Sequence, residues 1–128
     1  MDIFCKIING ELPSYTIYEN EYVKCIMDAN PDKPGHTLII PKRHYTTTLD
    51  LDEKIIIEIH NASKIIINAM EASFPNISGV RIGINYGEYQ IVKHYHMHII
   101  PSYKNGISPS LSKEEICELL KEKIKEEK

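Results

Sequence analysis

The sequence lacks features that would place the protein in a membrane, on nucleic acid or in an oxidising compartment. It has no run of about 20 apolar residues, and no basic segment leading into an apolar stretch near Met1. A net charge of −3 at pH 7 leaves no basic excess for binding nucleic acid. The three cysteines, Cys5, Cys25 and Cys117, are odd in number and widely spaced, which argues against a disulfide framework. We therefore expect a cytoplasmic protein with neither a membrane nor a nucleic acid as partner.

What is present is the pattern of one small α+β domain. A length of 128 residues with 42% hydrophobic residues is enough to bury a core. We predict a single domain over 1–128, with its core at about 2–103. Helical spacing of apolar residues predicts a long helix over 52–72. A capping box at Ser112 and Glu115 predicts an amphipathic helix over about 112–126, with a charged, frayed end at 121–128. The remaining patterns predict a short helix over 3–8 and strands over 15–18, 22–28, 36–40, 80–85 and from 94 onward.

The long helix carries more apolar surface than one sheet can cover. Its isoleucines at 55–57, 59 and 65–67 extend over more than one stripe. Part of this surface should meet a second subunit, so we expect a symmetric homodimer.

Three of the six histidines fall within five residues, in the order His94-Tyr95-His96-Met97-His98. Side chains on a strand alternate between its faces, so this pattern predicts three imidazoles on one face, about 6.5 Å apart. That spacing is too long for hydrogen bonds between rings, but a phosphate group can span it. Imidazole is a nucleophile, an acid, a base or a metal ligand near neutral pH, and the central His96 is the best candidate for a nucleophile. A metal held by all three rings is less favoured, because a flat strand does not present tetrahedral ligands.

The histidine run and its surroundings resemble the histidine triad (HIT) superfamily of nucleotide hydrolases and transferases. Ile3-Phe4-Cys5-Lys6-Ile7-Ile8 is similar to the opening helix of that family, and 34–41 to its proline-bounded strand with a fourth histidine, His36. The compact size and opening helix favour the bacterial and phosphoramidase (Hint-like) branch. The resemblance implies a five-stranded antiparallel sheet with a long helix, a short N-terminal helix and a C-terminal helix. It also implies a dimer whose two sheets form one continuous ten-stranded sheet, joined through the long helix and the fourth strand.

The resemblance also implies catalytic roles. His96 would form a nucleotidyl intermediate while its other ring nitrogen donates to a backbone carbonyl near His94. His98 would contact the phosphate, and His36 and His94 would form a hydrogen-bonded layer behind the nucleophile.

The expected ligand is a purine nucleotide. Asp28 resembles the family's ribose-binding carboxylate, although an aspartate that starts the turn at 30–31 is an equally good interpretation. Asn85 and Gln90 resemble the family's phosphate loop. The base would lie in an apolar slot, although helical spacing alone favours a core role for its four residues. These residues are Ile3, Phe4, Ile7 and Ile26.

The expected reaction is hydrolysis of nucleoside 5′-phosphoramidates or related nucleotidyl compounds, releasing a nucleoside monophosphate. Three departures leave alternatives open. The loop at 86–89 is about two residues shorter than usual in the family, and Tyr89 and Ile91 stand where a glycine and a hydroxyl residue are common. Val92-Lys93-His94 is similar to the dinucleoside polyphosphate branch. The alternatives are a dinucleoside polyphosphate hydrolase and a weakly active nucleotide-binding regulatory protein.

We expect no cofactor in catalysis, but a structural zinc is possible. Some bacterial relatives hold zinc with two cysteines and two histidines. The equivalent residues here are Cys5, His44 and His94, with Asp2 in place of the first cysteine. One carboxylate in place of a thiolate weakens such a site.

Overall fold

A computed structural model describes residues 1–126 and shows, within them, five strands and three α-helices. Short 3-10 turns at Thr48–Asp50, Gly87–Tyr89 and Lys104–Gly106 connect some of these elements. The elements in chain order are α1 (Ile3–Ile8), β1 (Thr16–Glu19), β2 (Val23–Met27), β3 (Thr37–Pro41), α2 (Glu53–Ser73), β4 (Ile77–Gly83), β5 (Met97–Tyr103) and α3 (Lys113–Glu126).

The five strands form one antiparallel sheet in the order β1-β2-β3-β5-β4. This confirms the predicted five-stranded sheet with a long helix and two shorter ones. Residue pairs across the central strands set the register: Ile26 faces Leu38, Leu38 faces His98, and His98 faces Gly83. Because side chains alternate along each strand, these four residues lie on the same face of the sheet.

The two faces of the sheet have different coverings. One face packs against α2 and α3 and forms the main core, which buries Ile39, Ile59, Ile66, Ile99 and Leu120. On the other face, α1 packs Phe4 and Ile7 into a smaller apolar cluster with β2 and β3. The larger covering stabilises the sheet by apolar burial. The smaller one leaves much of its face open for a binding site.

Hydrogen-bonding side chains mark the starts of the helices. Asp52 accepts from the backbone N–H of Ile55 at 3.0 Å and caps α2. The predicted capping box of α3 is present. Glu115 N–H donates to Ser112 Oγ at 3.1 Å, and Ser112 N–H donates to Glu115 Oε1 at 2.8 Å. The expected fraying is not seen up to Glu126, which is helical, and residues 127 and 128 lie outside the described part of the chain.

Two strand boundaries differ from the prediction. β4 spans Ile77–Gly83 instead of 80–85, and β5 starts at Met97 instead of His94. The residues before Met97 leave the sheet because their hydrogen bonds go elsewhere. Tyr95 N–H donates to Tyr45 O at 2.6 Å, outside any strand pair. The expectation of three imidazoles on one regular strand is therefore wrong, and the His96 and His98 ring centroids lie 5.0 Å apart.

Across residues 1–126, none of the helices combines the length and the apolar character needed to span a bilayer. The single domain over 1–128 stays a prediction.

Candidate active site

A cleft of about 1010 Å³ opens on the face of the sheet that carries α1. Its volume is at the upper end of the range usual for small-molecule sites. One wall is apolar and consists of the predicted base-slot residues Ile3, Phe4, Ile7 and Ile26. The floor and far wall carry polar side chains. Those predicted from the sequence are His36, His96, His98, Asp28 and Asn85.

His96 has a ring whose protonation is set by the backbone. Its Nδ1 lies 2.8 Å from the carbonyl oxygen of His94. A carbonyl only accepts hydrogen bonds, so Nδ1 carries the proton and Nε2 keeps its lone pair. Phe4 contacts the ring edge-on at 4.9 Å between centroids. Burial lowers the pKa of His96 below its usual 6.5, so the ring is neutral at pH 7. A neutral imidazole with a free nitrogen in a cleft can act as a nucleophile.

The neighbouring ring, His98, has the opposite arrangement. Asp32 N–H donates to His36 Nδ1 at 3.1 Å, so the proton of neutral His36 is on Nε2. This N–H donates to His98 Nδ1 at 2.9 Å, which leaves His98 with an N–H at Nε2. The Asn85 amide lies 3.4 Å from that nitrogen and can accept from it when its oxygen faces the ring. His98 therefore presents a hydrogen-bond donor where His96 presents a lone pair.

His36 and His94 do not form the common layer expected behind the nucleophile. His36 pairs with His98, whereas His94 Nε2 donates to Pro41 O at 2.9 Å. Because residue 94 precedes β5, its ring turns away from the open face toward α1 and β3. Burial lowers the pKa of both His36 and His98, and His98 is also affected by the neighbouring rings of His96 and His36.

Asp28 makes the contact expected from one of the two interpretations left open by the sequence, and it lies in the cleft, as the other requires. Its Oδ1 accepts from the backbone N–H of Asn30 at 2.8 Å, as a turn-forming aspartate does. Its Oδ2 lies 3.3 Å from His36 Nε2, and the residue also lines the cleft. We call Asp28, His36 and His98 the His36 cluster. The ribose role of Asp28 stays a prediction.

Gln90 lies elsewhere than expected. The side chain is buried, and its Nε2 donates to the carbonyl oxygens of Thr46 and Val92 at 2.7 and 3.0 Å. It is absent from the cleft lining, whereas Asn85 is part of it. These two bonds hold the turn before His94, so Gln90 supports the polypeptide behind the site. The prediction that Gln90 is a substrate-binding residue of a phosphate loop is corrected accordingly.

A second polar group lies beside α1 and comprises Asp2, Cys5, His44 and His94, which we call the Cys5 cluster. One ligand atom from each lies within 4.8 Å of all the others. Cys5 Sγ is 3.4 Å from His94 Nδ1 and 3.5 Å from His44 Nδ1, and Asp2 Oδ2 is 3.1 Å from His44 Nδ1. The bond of His94 to Pro41 O fixes its proton on Nε2, so the lone pair on Nδ1 faces the cluster.

The electrostatics of the Cys5 cluster differ between its acid and its thiol. Burial favours a protonated Asp2, but hydrogen bonds from the backbone N–H and the thiol of Cys5, together with the nearby imidazoles, outweigh it and lower the pKa of Asp2. Burial, together with the hydrogen-bonded Asp2 carboxylate, raises the pKa of Cys5. One sulfur, one carboxylate and two imidazoles form a donor set that suits zinc, so these residues could hold that ion.

The fold and the arrangement of the site residues agree with a known family of proteins. The family model of the HIT domain matches residues 9–105, about three quarters of the chain. The chain belongs to the HIT family. This confirms the resemblance drawn from the histidine run and from the segments before it.

HIT relatives in bacteria and plants share much of the sequence. An uncharacterised HIT-like protein of Borreliella burgdorferi is 42% identical over 106 residues, which cover 80% of this chain and 76% of that protein. An adenylylsulfatase named HINT3 of Arabidopsis thaliana is 36% identical over 100 residues, which cover 77% of this chain and 51% of that protein. The Hint-like and bacterial affinity expected from the sequence is therefore confirmed.

Solved HIT structures share the fold. A hypothetical histidine triad nucleotide-binding protein of Sulfolobus tokodaii superposes with a TM-score of 0.89 at 32% identity, covering 96% of this chain and 91% of that one. A zinc-bound histidine triad family protein of Mycobacterium smegmatis gives a TM-score of 0.86 at 32% identity, covering 97% and 93%.

Two cationic cleft residues, Arg81 and Lys113, were missed by the sequence analysis. For Arg81 a signal existed. Along the strand predicted over 80–85, side chains alternate between faces, which places Arg81 on the same face as Gly83 and Asn85. For Lys113 no local signal existed. It reaches the cleft from the first turn of α3, where its Nζ donates to Ala29 O at 3.0 Å, and only tertiary packing sets this position.

Proposed function

We propose that this HIT protein hydrolyses nucleoside 5′-phosphoramidates or related nucleotidyl compounds through a nucleotidyl intermediate on His96. The observation that carries the proposal is the ring of His96. Its Nδ1–H donates to the carbonyl oxygen of His94 at 2.8 Å, so Nε2 keeps its lone pair, and the ring lines the cleft. This arrangement fixes the nucleophilic tautomer before substrate arrives.

The reaction has two steps. In the first, His96 Nε2 attacks phosphorus, the P–N bond of the phosphoramidate breaks, and its electron pair leaves with the amine. The amine takes a proton from solvent, while His98 Nε2–H donates a hydrogen bond to a phosphate oxygen. In the second, water attacks phosphorus and breaks the bond to His96, and the proton of the water returns to solvent. The products are one amine and one nucleoside monophosphate, and both rings regain their starting state.

The cleft supports a nucleotide in one orientation. Two oxygens of Asp28 match two adjacent ribose hydroxyls. Phe4 and its apolar neighbours provide a slot for a purine, and the donors of His98 and Asn85 suit the phosphate oxygens. The adenylylsulfatase name of HINT3 supports adenylyl compounds as a substrate class.

Capture of the intermediate tests the proposal. The protein is mixed with an adenosine phosphoramidate, quenched without acid, and analysed by intact mass and peptide mapping. We expect a mass increase of one adenylyl group, mapped to His96 and missing in His96→Ala. His60→Ala, at an exposed position of α2, should retain the adduct. An adduct on another residue, or turnover by His96→Ala at the wild-type rate, would overturn the assignment.

Ile91 supports the alternative of weak catalysis. Its side chain is 91% exposed and lines the cleft, with no hydroxyl to offer a leaving group. Loss of one such donor typically costs about 2–4 kcal/mol in transition-state stabilisation. Steady-state rates with AMP esters of acidic leaving groups distinguish the two cases, because a regulatory binding protein would turn over even these slowly.

We further propose that the Cys5 cluster holds a structural zinc. The donor set and its spacing within 4.8 Å support this, and Asp2 provides the carboxylate in place of a second thiolate. When bound, the ion supplies crosslinking of α1 to the chain at His44 and His94. The proposed reaction involves imidazoles, phosphorus and water, so we keep the prediction that catalysis needs no cofactor.

A homodimer also stays a proposal. β4 is an edge strand, and Ile56 and Ile57 of α2 and Ile82 of β4 are exposed. Pairing of two β4 edges would join the sheets into ten strands and cover this apolar surface. Sedimentation at micromolar concentration should show a dimer, and a monomer there would contradict the proposal. A cytoplasmic location is likewise still a prediction.

A further inference from the structure

Arg81 lies on the open face of the sheet beside the catalytic histidines. In the pairing of β4 with β5, Gly83 faces His98 and Arg81 faces Ile100. Residues 81 and 83 point to the same face because side chains alternate, and both line the cleft with His98 and Ile100. Arg81 is therefore a diagonal neighbour of His98, with the two Cα atoms about 7–8 Å apart, a distance that a long side chain can span.

The guanidinium of Arg81 is uncommitted. Its side chain is exposed, and it makes no ion pair or hydrogen bond with any residue in the described range 1–126. The other cationic side chain of the cleft, Lys113, already donates to Ala29 O. The other arginine, Arg43, lies over the ring of Tyr45 at 5.6 Å, outside the cleft. Arg81 is thus a cationic side chain of the cleft that has no ion-pair or hydrogen-bond partner among the described residues.

The direction of the reaction leads to Arg81. Asp28 follows β2, the nucleophile and His98 are near β5, and Arg81 is on β4, so Asp28 and Arg81 are about 14 Å apart across three strand spacings. With ribose at Asp28 and phosphorus at the histidines, the leaving group lies on the side of phosphorus that faces away from the ribose. In-line displacement also requires it to depart opposite His96. Along β5 that direction runs past His98 to Ile100, the residue that Arg81 faces.

The same end of the cleft offers only weak proton donors. Ile91 has no hydroxyl, Tyr89 carries only a phenol, and burial lowers the pKa of His98, so its neutral N–H is a weak acid at pH 7. A leaving group that departs as a stable anion needs no proton, and it gains from a nearby guanidinium with several N–H donors. Both properties of the site favour the same kind of substrate.

We propose that Arg81 selects nucleotidyl substrates whose leaving group is an oxyanion, of the sulfate or phosphate class, by pairing with it as it departs. The inference rests on the proposed nucleotidyl transfer to His96. The bond from His96 Nε2 to phosphorus forms while the P–O bond to the leaving group breaks, and the electron pair stays on the departing oxygen. Water then cleaves the nucleotidyl-histidine, giving the nucleoside monophosphate and releasing a proton to solvent.

Substrate pairs test the selection. One pair consists of two adenosine phosphoroanilidates whose anilines match in basicity, one with a ring sulfonate and the other with an uncharged electron-withdrawing group in its place. Adenosine 5′-phosphosulfate and a diadenosine polyphosphate are added to separate sulfate from phosphate. In Arg81→Gln, we expect kcat/KM to fall about tenfold or more for the charged substrates and less than about twofold for the neutral anilidate. Arg81→Lys should restore part of the loss. Lys125→Gln removes the same charge from the exposed side of α3 and should change neither.

A binding measurement separates failure of this inference from failure of the proposed function. By calorimetry, Arg81→Gln should weaken binding of α,β-methylene ADP about tenfold and leave AMP binding unchanged. This result would support Arg81 even if no substrate were turned over, in which case only the hydrolase proposal fails. Equal loss on charged and neutral substrates, or equal binding of α,β-methylene ADP by wild type and Arg81→Gln, would overturn the role of Arg81.

Discussion

The His36 cluster and the Cys5 cluster contain similar residues but are organised differently. Each has one aspartate and two histidines. In the His36 cluster, the backbone N–H of Asp32 sets the proton on His36, and the rings of His36 and His98 form a directed pair at 2.9 Å. In the Cys5 cluster, four different ligand atoms converge, with side-chain contacts of 3.1–3.5 Å. A directed pair positions protons, whereas converging ligands suit a cation.

His96 lies between the two clusters and depends on both. Its ring neighbours His98 at 5.0 Å between centroids, and its Nδ1 donates to the carbonyl of His94, whose ring belongs to the Cys5 cluster. Changes to the nucleophile, to the first cluster and to the second should therefore have separable effects on chemistry and stability.

The largest effect is expected at the nucleophile itself. His96→Ala should lower kcat on a phosphoramidate by about three orders of magnitude or more, because the covalent step is lost. AMP binding by calorimetry should change little. His60→Ala provides the matched histidine control. Activity of His96→Ala within tenfold of wild type would show that His96 is not the nucleophile.

Breaking the directed pair should have a smaller effect. His36→Ala leaves His98 Nδ1 without its donor, so the ring can rotate or change tautomer. We expect kcat to fall about 10–100-fold, as for loss of a supporting hydrogen bond to a catalytic or ligating group. The melting temperature should fall, because a buried and hydrogen-bonded ring is lost, but the zinc-dependent rise should be kept. An unchanged kcat would mean that the pairing does not position His98.

Loading the converging cluster should change stability more than rate. Zinc at about 100 times its dissociation constant should stabilise the fold by about 2.7 kcal/mol and raise the melting temperature. Cys5→Ser should lose most of this rise. Cys117→Ser, in the core, should lower the starting value but keep the zinc-dependent rise. A chelator should leave kcat within severalfold, and a zinc response that survives Cys5→Ser would place the ion elsewhere.

The smallest effect concerns pH. Burial lowers the pKa of His96 and His98 below 6.5. The neutral forms are needed for catalysis, so activity should be highest at neutral and higher pH and decline as pH falls through the lowered values. The measurement is kcat/KM of the wild type from pH 4.5 to 8.5. An acid limb of the pH profile centred above pH 6.5 would contradict the lowered pKa values of His96 and His98.

Most of the fold could be predicted from local patterns. The apolar periodicity of α2 and the capping box at Ser112 and Glu115 are encoded within a few residues, and both were found. The start of β5 was not, because the alternating histidines satisfy a strand pattern while the backbone of Tyr95 bonds to Tyr45, fifty positions earlier in the chain. No local rule contains that contact.

The candidate site divides in the same way. His96 and Asp28 were identified from residue type and the family resemblance, and both line the cleft. Gln90 was assigned to the phosphate loop, but two carbonyls draw its amide inward. The pairing of His36 with His98 was missed because it joins residues 62 positions apart, and the register of two strands decides it.

The six-residue helix α1 is too short to be stable alone, so its contacts hold it in place. Asp2 and Cys5 attach its start to the Cys5 cluster, and Phe4 contacts the rings of His94 and His96. Local unfolding of residues 2–8 would therefore open the base slot and uncover His94 in one event. Amide hydrogen exchange in α1 should slow when either nucleotide or metal binds, and the two ligands should reinforce each other because each removes the same opened state.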